Sequence, residues 1–475
     1  MTRFVIVGNT VFDEATLQAQ ISRYVGQSLT LSQLYDVANV LTRFYQAHDY
    51  GLARATVPAQ PFKEGTVKLQ VIEGRIGKIS VAGNVATRTS AILRQAAAVR
   101  PGSIYTNRAV SRAALLVNDL AGVTARAVLV PGKTFGTSDL VFNVREKRFA
   151  SQVWADNYGR PSIGQERINA ALAINSLAGL GDRLSLQYTH SSGGLLDFGS
   201  ASYSLPVGSN GGTVSLGADY TRYRVGGAQF GPLRITGSTT DAMAMYQYPV
   251  WRELYRNLIV GVGMLYTRSN ADSAGNPIVE TRVRRLEVSA YYDHVQASGG
   301  YYSLAGKLFT NGKRNDGSAG NNGESARLLL TSQWQQPLSE RWRFINKLEG
   351  QWSRDPLVDG DKYSLGGPES TRGFLPAEQR GDDGVLESAE LQRALLPNAG
   401  MWLGVFFDSG KVWNKATATA PSSAYTLSDV GLDWSYAPSG KPWHANIQWA
   451  VPTGGYMPSD GKTGGRLWAS LGIKF

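Results

Sequence analysis

Side chains able to act as nucleophiles, metal ligands or proton carriers are few and scattered in this chain of 475 residues. It contains no cysteine, which removes thiolate catalysis, thiolate metal sites and disulfides, and which suits an oxidising compartment without requiring one. The four histidines, His48, His190, His294 and His444, stand far apart and outside any nucleophile or metal motif, so each reads as an ordinary surface or channel-lining residue. No phosphate-binding loop occurs. The expectation is a protein that is not an enzyme, with no catalytic residue, cofactor or metal. What remains is charge, spread over the chain; two of its bearers, Arg372 in Leu365-Gly366-Gly367-Pro368-Glu369-Ser370-Thr371-Arg372-Gly373-Phe374 and Asp408 in Phe406-Phe407-Asp408-Ser409-Gly410, lie in the segments that carry a family resemblance. The chemistry open to these residues is electrostatic, the holding of one element against another.

The elements around them alternate with a period of two. Leu184, Leu186 and Tyr188 are interleaved with Ser185, Gln187 and Thr189, and Trp443, Ala445, Ile447 and Trp449 with His444, Asn446 and Gln448. One face is lipid-compatible and the other polar. The apolar runs are too short for a helical span of about 20 residues, and a barrel is the other way to satisfy every backbone group inside a bilayer. Segments of about ten residues between turn signals begin near 151, 166, 181, 197, 212, 239, 257, 282, 298, 325, 341, 385, 400, 428, 442 and 466. That spacing predicts an antiparallel membrane β-barrel of about sixteen strands. Trp and Tyr near the segment ends (Tyr188, Trp251, Tyr255, Tyr291, Tyr292, Trp334, Trp342, Trp352, Trp402, Trp413) are expected to form interfacial girdles. The last strand sets Leu467, Ala469, Leu471, Ile473 and the terminal Phe475 on one face. The connection around 353–384 is unusually long, as functional loops often are.

The first 147 residues read differently. Ile6-Val7-Gly8-Asn9 recurs as Val81-Ala82-Gly83-Asn84, and the Gly26 to Thr30 stretch recurs as Gly102 to Thr106, so two copies of one small fold are expected. Thr30 and Gln33 form a capping-box pattern opening a helix whose apolar stripe is Leu34, Val37, Ala38, Leu41 and Tyr45. Strands are predicted from Leu52 to Val57 and from Thr66 to Ile72, giving the order β-α-α-β-β in each α+β unit. Domains of 1–75, 76–147 and 148–475 follow. Of the net charge of +11, residues 1–150 supply +9, from 18 basic and 9 acidic residues. No dense basic run or RNA-binding signature accompanies this excess, so no nucleic-acid partner is expected; a polypeptide or anionic headgroups suit it better. No signal-peptide pattern precedes Arg3-Phe4-Val5-Ile6-Val7; for an exported protein the expectation is that one has been removed and that Met1 was added.

The Leu-Gly-Gly…Thr-Arg-Gly-Phe loop resembles that of the outer-membrane protein assembly and two-partner secretion superfamily. The resemblance implies that Thr371, Arg372, Gly373 and Phe374 fold back into the barrel lumen. It also implies that Arg372 pairs with Asp408 of a Phe-x-Asp-x-Gly strand motif, here Phe406, Asp408 and Gly410, as a loop-to-barrel latch. The two N-terminal units resemble POTRA domains, and that number, together with Val57-Pro58-Ala59-Gln60 and Val71-Ile72-Glu73-Gly74-Arg75, resembles the two-partner secretion branch: transporters of filamentous-haemagglutinin, haemolysin and contact-dependent toxin type. The branch often carries an N-terminal plug helix, and no such segment precedes Arg3; either this branch lacks it or it has been removed.

What the resemblance implies is a monomeric outer-membrane pore with its POTRA domains in the periplasm. It would pass a large unfolded exoprotein (adhesin, haemolysin or contact-dependent toxin) to the surface without nucleotide hydrolysis. Its other partners would be outer-membrane lipid and, during biogenesis, the barrel assembly machinery, which would read the terminal Phe475 as an insertion signal. A barrel assembly factor would instead deplete many barrels when lost, a passive porin would need neither soluble module nor loop, and an outer-membrane hydrolase would need a nucleophile or metal motif.

Overall fold

The computed structural model describes residues 2–61, 65–228, 230–311, 315–316, 325–396, 400–417 and 420–475; Met1 lies outside them. The first unit orders β1 (Arg3–Val7), α1 (Glu14–Ile21), α2 (Leu31–Ala47), β2 (Arg54–Thr56) and β3 (Thr66–Ile72), with the sheet order β1-β3-β2. Its alternating β3 buries Val67, Leu69 and Val71 against the α2 stripe, all five of whose residues are buried. The α2 start is a capping box, in which the Thr30 N–H donates to Gln33 Oε1 at 2.8 Å and Gln33 N–H to Thr30 Oγ1 at 3.3 Å. Strand β2 is shorter than the alternation predicts. Pro58 offers no N–H to the ladder, and the Gln60 side chain takes over instead, accepting from Lys68 N–H at 2.7 Å and donating to Lys68 C=O at 2.8 Å.

The second unit repeats the plan with β4 (Arg75–Ala82), α3 (Thr89–Gln95), α4 (Asn107–Asn118), β5 (Val123–Pro131) and β6 (Thr137–Glu146), in the order β4-β6-β5. The repetition extends to polar detail. Gly8 and Gly83 both turn at positive φ, +88° and +86°, and a Cβ there would sit 2.3 Å from the Val71 carbonyl oxygen or 2.5 Å from that of Val144. In the first unit, Glu73 accepts from the backbone N–H groups of Thr10 and Val11 and from the Tyr45 hydroxyl. In the second, Glu146 accepts from those of Val85, Ala86 and Thr87. Burial works against the charged form of both carboxyls, but these donors outweigh it and hold each below the usual carboxylate range.

Sixteen full strands then close into an antiparallel barrel. They are β7 (Phe149–Asp156), β8 (Arg167–Asn175), β9 (Arg183–Ser191), β10 (Leu196–Val207), β11 (Gly212–Arg224), β12 (Ile235–Arg252), β13 (Arg256–Ser273), β14 (Asn276–Val295), β15 (Tyr301–Asn311), β17 (Ser325–Pro337), β18 (Trp342–Ser353), β21 (Asp383–Leu396), β22 (Met401–Asn414), β23 (Ser423–Tyr436), β24 (Trp443–Thr453) and β25 (Arg466–Lys474). A two-residue piece, β16 (Asn315–Asp316), pairs beside β14, and β19 (Tyr363–Leu365) with β20 (Gln379–Gly381) form a hairpin in the long connection. Strands β12 to β14 run 18 to 20 residues, well past the expected ten. The seam is the shortest ladder among the full strands, Ser470–Lys474 against Gln152–Asp156, and the main chain of the terminal Phe475 extends it by exchanging hydrogen bonds with Ser151. Two of the expected girdle aromatics face inward instead. Tyr291 hydrogen-bonds Tyr301 at 2.7 Å on the lumen face of β14, and Trp402 lies under the Arg343 guanidinium at 3.9 Å. Neighbours in register decide the face here: Tyr292 and Leu403 hold the outward positions.

The second unit sits on the barrel's turns at one end. Arg252 grips Asp119 through two donors at 2.8 and 2.7 Å, Arg112 donates to the Pro249 carbonyl, and Gln95 bonds the backbone of Gly208 and Gly211. Asp182, fully buried, accepts from Ala178 and Leu180 N–H and from the Tyr203 hydroxyl, stiffening the turn that meets Leu120. Between the two units, Asp49 caps α4 by accepting from Asn107 N–H through its carbonyl and from Arg108 N–H through its carboxylate.

Candidate functional site: a loop anchored in the barrel lumen

The connection between β18 and β21 turns inward. Leu365, Thr371 and Phe374 are completely buried, and Phe374 and Leu365 pack with Leu386, Val412 and Leu427 of the wall. A loop carrying so many turn residues is buried only because its polar groups find partners there. Arg372 is the centre of that pairing. Its Nε donates to Asp408 Oδ2 at 2.7 Å and its Nη2 to Asp408 Oδ1 at 2.9 Å, a bidentate fork, while its Nη1 donates to Glu390 Oε2 at 2.9 Å. The guanidinium carbon stands 3.2 Å from the centroid of the Phe406 ring, so the cation stacks on one motif residue while it pairs with the next. The Ser388 hydroxyl accepts from Arg372 and donates to Asp408.

The glycines of both motifs make room. A Cβ at Gly410 would fall 2.5 Å from Leu365 Cδ2, and one at Gly373 would fall 2.8 Å from Asp429 Cβ. Strand β22 thus presents Phe406, Asp408 and Gly410 on its inward face as ring platform, carboxylate and gap. The loop's backbone is held to the closing strand: Trp468 Nε1 donates to the Arg372 carbonyl at 2.7 Å and Arg466 Nε to that of Gly373 at 2.9 Å. Arg372 thereby ties β21, β22 and β25 to one loop tip. Phe475 lies at the other end of β25, exposed, with Lys147 donating to its carbonyl at 3.1 Å.

Several partners were not marked in the sequence. Glu390 and Ser388 lie on β21 in an unremarkable Glu-Ser-Ala-Glu run, and period-two alternation was the available signal that both face inward. A second anchor sits at the loop's start, where the buried Asp361 accepts from Arg285 at 2.6 Å and from Arg327 at 3.3 Å; at the loop's end, the Asp382 carboxylate accepts from the N–H groups of Leu357 and Lys415 at 2.7 Å each. Near the tip, Glu378 accepts from Ser459 and Arg160 donates to the Pro376 and Ala377 carbonyls. Asp429, fully buried, faces Asp408 across the β22–β23 ladder, so that two carboxyl groups stand opposite each other beside the Arg372 site. The four histidines stay apart: His48 meets the Phe12 ring edge-on and the Phe44 ring at a tilt, and His190 meets Asp197 on the outer face.

A sixteen-stranded barrel whose lumen holds a pinned loop, preceded by a POTRA unit and its repeat, defines an outer-membrane barrel of the protein-transport superfamily. Residues 136–433 match the model of the haemolysin secretion/activation protein ShlB/FhaC/HecB family and residues 1–74 that of the ShlB-type POTRA domain; the chain belongs to that family. It is 25% identical to the heme/hemopexin transporter protein HuxB of Haemophilus influenzae (strain 86-028NP), over 95% of this chain and 82% of that protein. It is 24% identical to the outer membrane transporter CdiB of Dickeya dadantii (strain 3937), over 89% and 78%. The solved structure of CdiB from Escherichia coli superposes with a TM-score of 0.80 at 20% identity, covering all of this chain and 90% of the other, and supports the fold. The protein is therefore an outer-membrane transporter of the two-partner secretion type, carrying a partner exoprotein across that membrane with its POTRA domains in the periplasm.

Proposed function

We propose that this transporter serves one large exoprotein of adhesin, haemolysin or contact-dependent toxin type, received as an extended chain at the POTRA sheet edges and passed through the lumen as the Arg372 loop yields. The observation that carries this reading is the loop itself, buried across the lumen and pinned by a bidentate pair to Asp408 and a second contact to Glu390. An anchorage of that kind holds the conduit shut at rest and fixes where the loop returns. The edge strands β2 and β5 leave main-chain groups for strand addition, a mode that binds many sequences because it uses the backbone. Phe475, closing the barrel beside Ser151, serves as the assembly machinery's insertion signal, and the working unit is the monomer. No step calls for catalysis; folding of the cargo outside the cell supplies the drive.

The test is secretion of the partner by cells carrying Arg372→Ala or Asp408→Asn. Loss of secretion, with the barrel still inserted and folded, supports the anchored-loop reading; normal secretion with the loop in place removes it. Depletion of many unrelated outer-membrane barrels on deletion of this protein would favour an assembly factor instead.

A further inference from the structure

Alternation turns every second barrel side chain outward. On β13 that outward set runs from the POTRA end as Leu258, Val260, Val262, Met264, Tyr266 and Arg268; on β14 it runs as Tyr292, Ala290, Val288, Leu286, Arg284 and Arg282. At about 3.3 Å per residue and a tilt of about 40°, the climb from Leu258 to Arg268 is about 25 Å, the height of the apolar band of a membrane barrel. Arg268 and Arg282 therefore stand at the edge of that band at the end remote from the POTRA units, level with the headgroups of the outer leaflet, and Arg284, one pair nearer the POTRA end at about 20 Å, reaches the same level by extending its long side chain.

Their arrangement is unfavourable without a ligand. Arg268 and Arg282 lie directly opposite in the β13–β14 ladder, Arg284 stands opposite Tyr266, and all three are exposed. Like charges facing across a ladder repel. Glu280 bonds Arg282 at 2.6 Å; among the described residues neither Arg268 nor Arg284 has an ion-pair partner. The inward neighbour Arg285, by contrast, is buried against Asp361. Directly below the arginines the outer wall is hollowed. The small Ala242 and Ala244, with Met264, Leu286 and Thr310, bound a groove of about 740 Å³ whose rim carries Tyr266 and Arg284.

We propose that this is a lipid site. The groove takes an acyl chain, and Arg268, Arg282 and Arg284 bind the phosphate of a phosphorylated, lipid A-type glycolipid of the outer leaflet. Three guanidinium charges less the Glu280 carboxylate leave a surplus of two, matching the charge of about −1.5 to −2 on a phosphate monoester. Basic clusters at a membrane interface beside an apolar cleft bind anionic headgroups in this way, and the planar guanidinium grips phosphate bidentately. The site lies on the outside of the wall, so it operates independently of the Arg372 loop and rests only on the membrane placement of the barrel.

The experiment uses the full chain in phosphatidylcholine nanodiscs, incubated with purified lipopolysaccharide and repurified, with retained lipid A per barrel counted by mass spectrometry. The wild type is expected to retain about one equivalent, and the R268Q/R282Q/R284Q variant at least tenfold less, with its heat-modifiable gel mobility unchanged. If the triple variant does not insert, R268Q alone is expected to lower retention severalfold. Equal retention by the folded triple variant, or by R268Q where it stands in, overturns the proposal. So does equal retention of dephosphorylated lipid A, or displacement by phosphatidylglycerol at equal concentration, which would make the patch a general anion surface.

Discussion

Replacing Arg372 by alanine removes two donors to Asp408, one to Glu390 and the stack on Phe406. Arg372 is 5% exposed and Asp408 fully buried, so the carboxylate left behind cannot be rehydrated without moving the loop. Breaking a buried ion pair costs about 3–5 kcal/mol, whereas the same change at a wet surface costs under about 1 kcal/mol. If even about 3 kcal/mol of that loss falls on the anchored state, the population with the loop released rises by about two orders of magnitude, since each 1.4 kcal/mol is about a factor of ten. The chain has no native cysteine, so a single Thr371→Cys reports on the opening. Thr371 is fully buried, and its maleimide labelling follows the released fraction. The expected result is labelling about a hundredfold faster in the Arg372→Ala background, with Arg372→Lys in between because an ammonium neither forks nor stacks as a guanidinium does. Equal labelling rates with and without Arg372 would refute the account, because the loop would then be held by its apolar contacts alone.

Four further outcomes are expected. Gly410→Ala drives a methyl into Leu365, so it should loosen the hairpin by about 1–3 kcal/mol, and Leu365→Ala in the same chain should restore part of that loss in a thermal melt of the inserted barrel. Asp429→Asn puts a neutral group of the same shape opposite Asp408, so no carboxyl repulsion can arise there, and it should leave Thr371→Cys labelling unchanged or slower, by up to about 1 kcal/mol. Glu73→Gln should destabilise the first POTRA unit by about 2–3 kcal/mol as four donors, the Thr10 hydroxyl among them, lose a charged acceptor, read by hydrogen exchange of Thr10 and Val11 in the whole chain. The folded Glu73 carboxyl lies below its unfolded value, so its stabilisation is complete above the ordinary glutamate range and is lost as pH falls through the folded value. Protection of these amides relative to their intrinsic, base-catalysed exchange rate should therefore fall on acidification in the wild type and stay flatter in Glu73→Gln. Arg252→Ala, at a half-exposed pair with Asp119, should cost only about 1 kcal/mol of POTRA docking, detectable as faster exchange at Asp119 with the barrel melt unmoved.

Much of this protein was legible along the chain because its information is local. Period-two alternation placed most barrel strands to within a few residues, with β14 and β23 starting earlier than expected, at Asn276 and Ser423; the Thr30 and Gln33 pair opened α2 where the structure has it, and the Gly8/Gly83 repeat marked two equivalent turns, since each depends on neighbours a few positions away. The strand faces at Tyr291 and Trp402 were not legible, because register is fixed by the partner strand and not by the aromatic itself. The length of β12 to β14 escaped for a related reason: their polar outer ends, Arg268 and Arg282 among them, lack the apolar signal that marks a membrane strand.

At the site the division is similar. By itself the sequence determined that Arg372 lies in a long turn-rich connection and Asp408 on an alternating strand, and a resemblance singled them out and supplied the expectation that they meet. Only the tertiary structure decided that Glu390, Ser388, Trp468 and Arg466 complete the anchorage, and that Asp361 and Asp382 fasten the loop's two ends. Those partners come from strands up to 96 residues away, and closing the barrel brings them together. A carboxylate on a strand reads the same in sequence whether it faces water, lipid or a buried guanidinium. Its role is fixed by the closure of the wall around the loop.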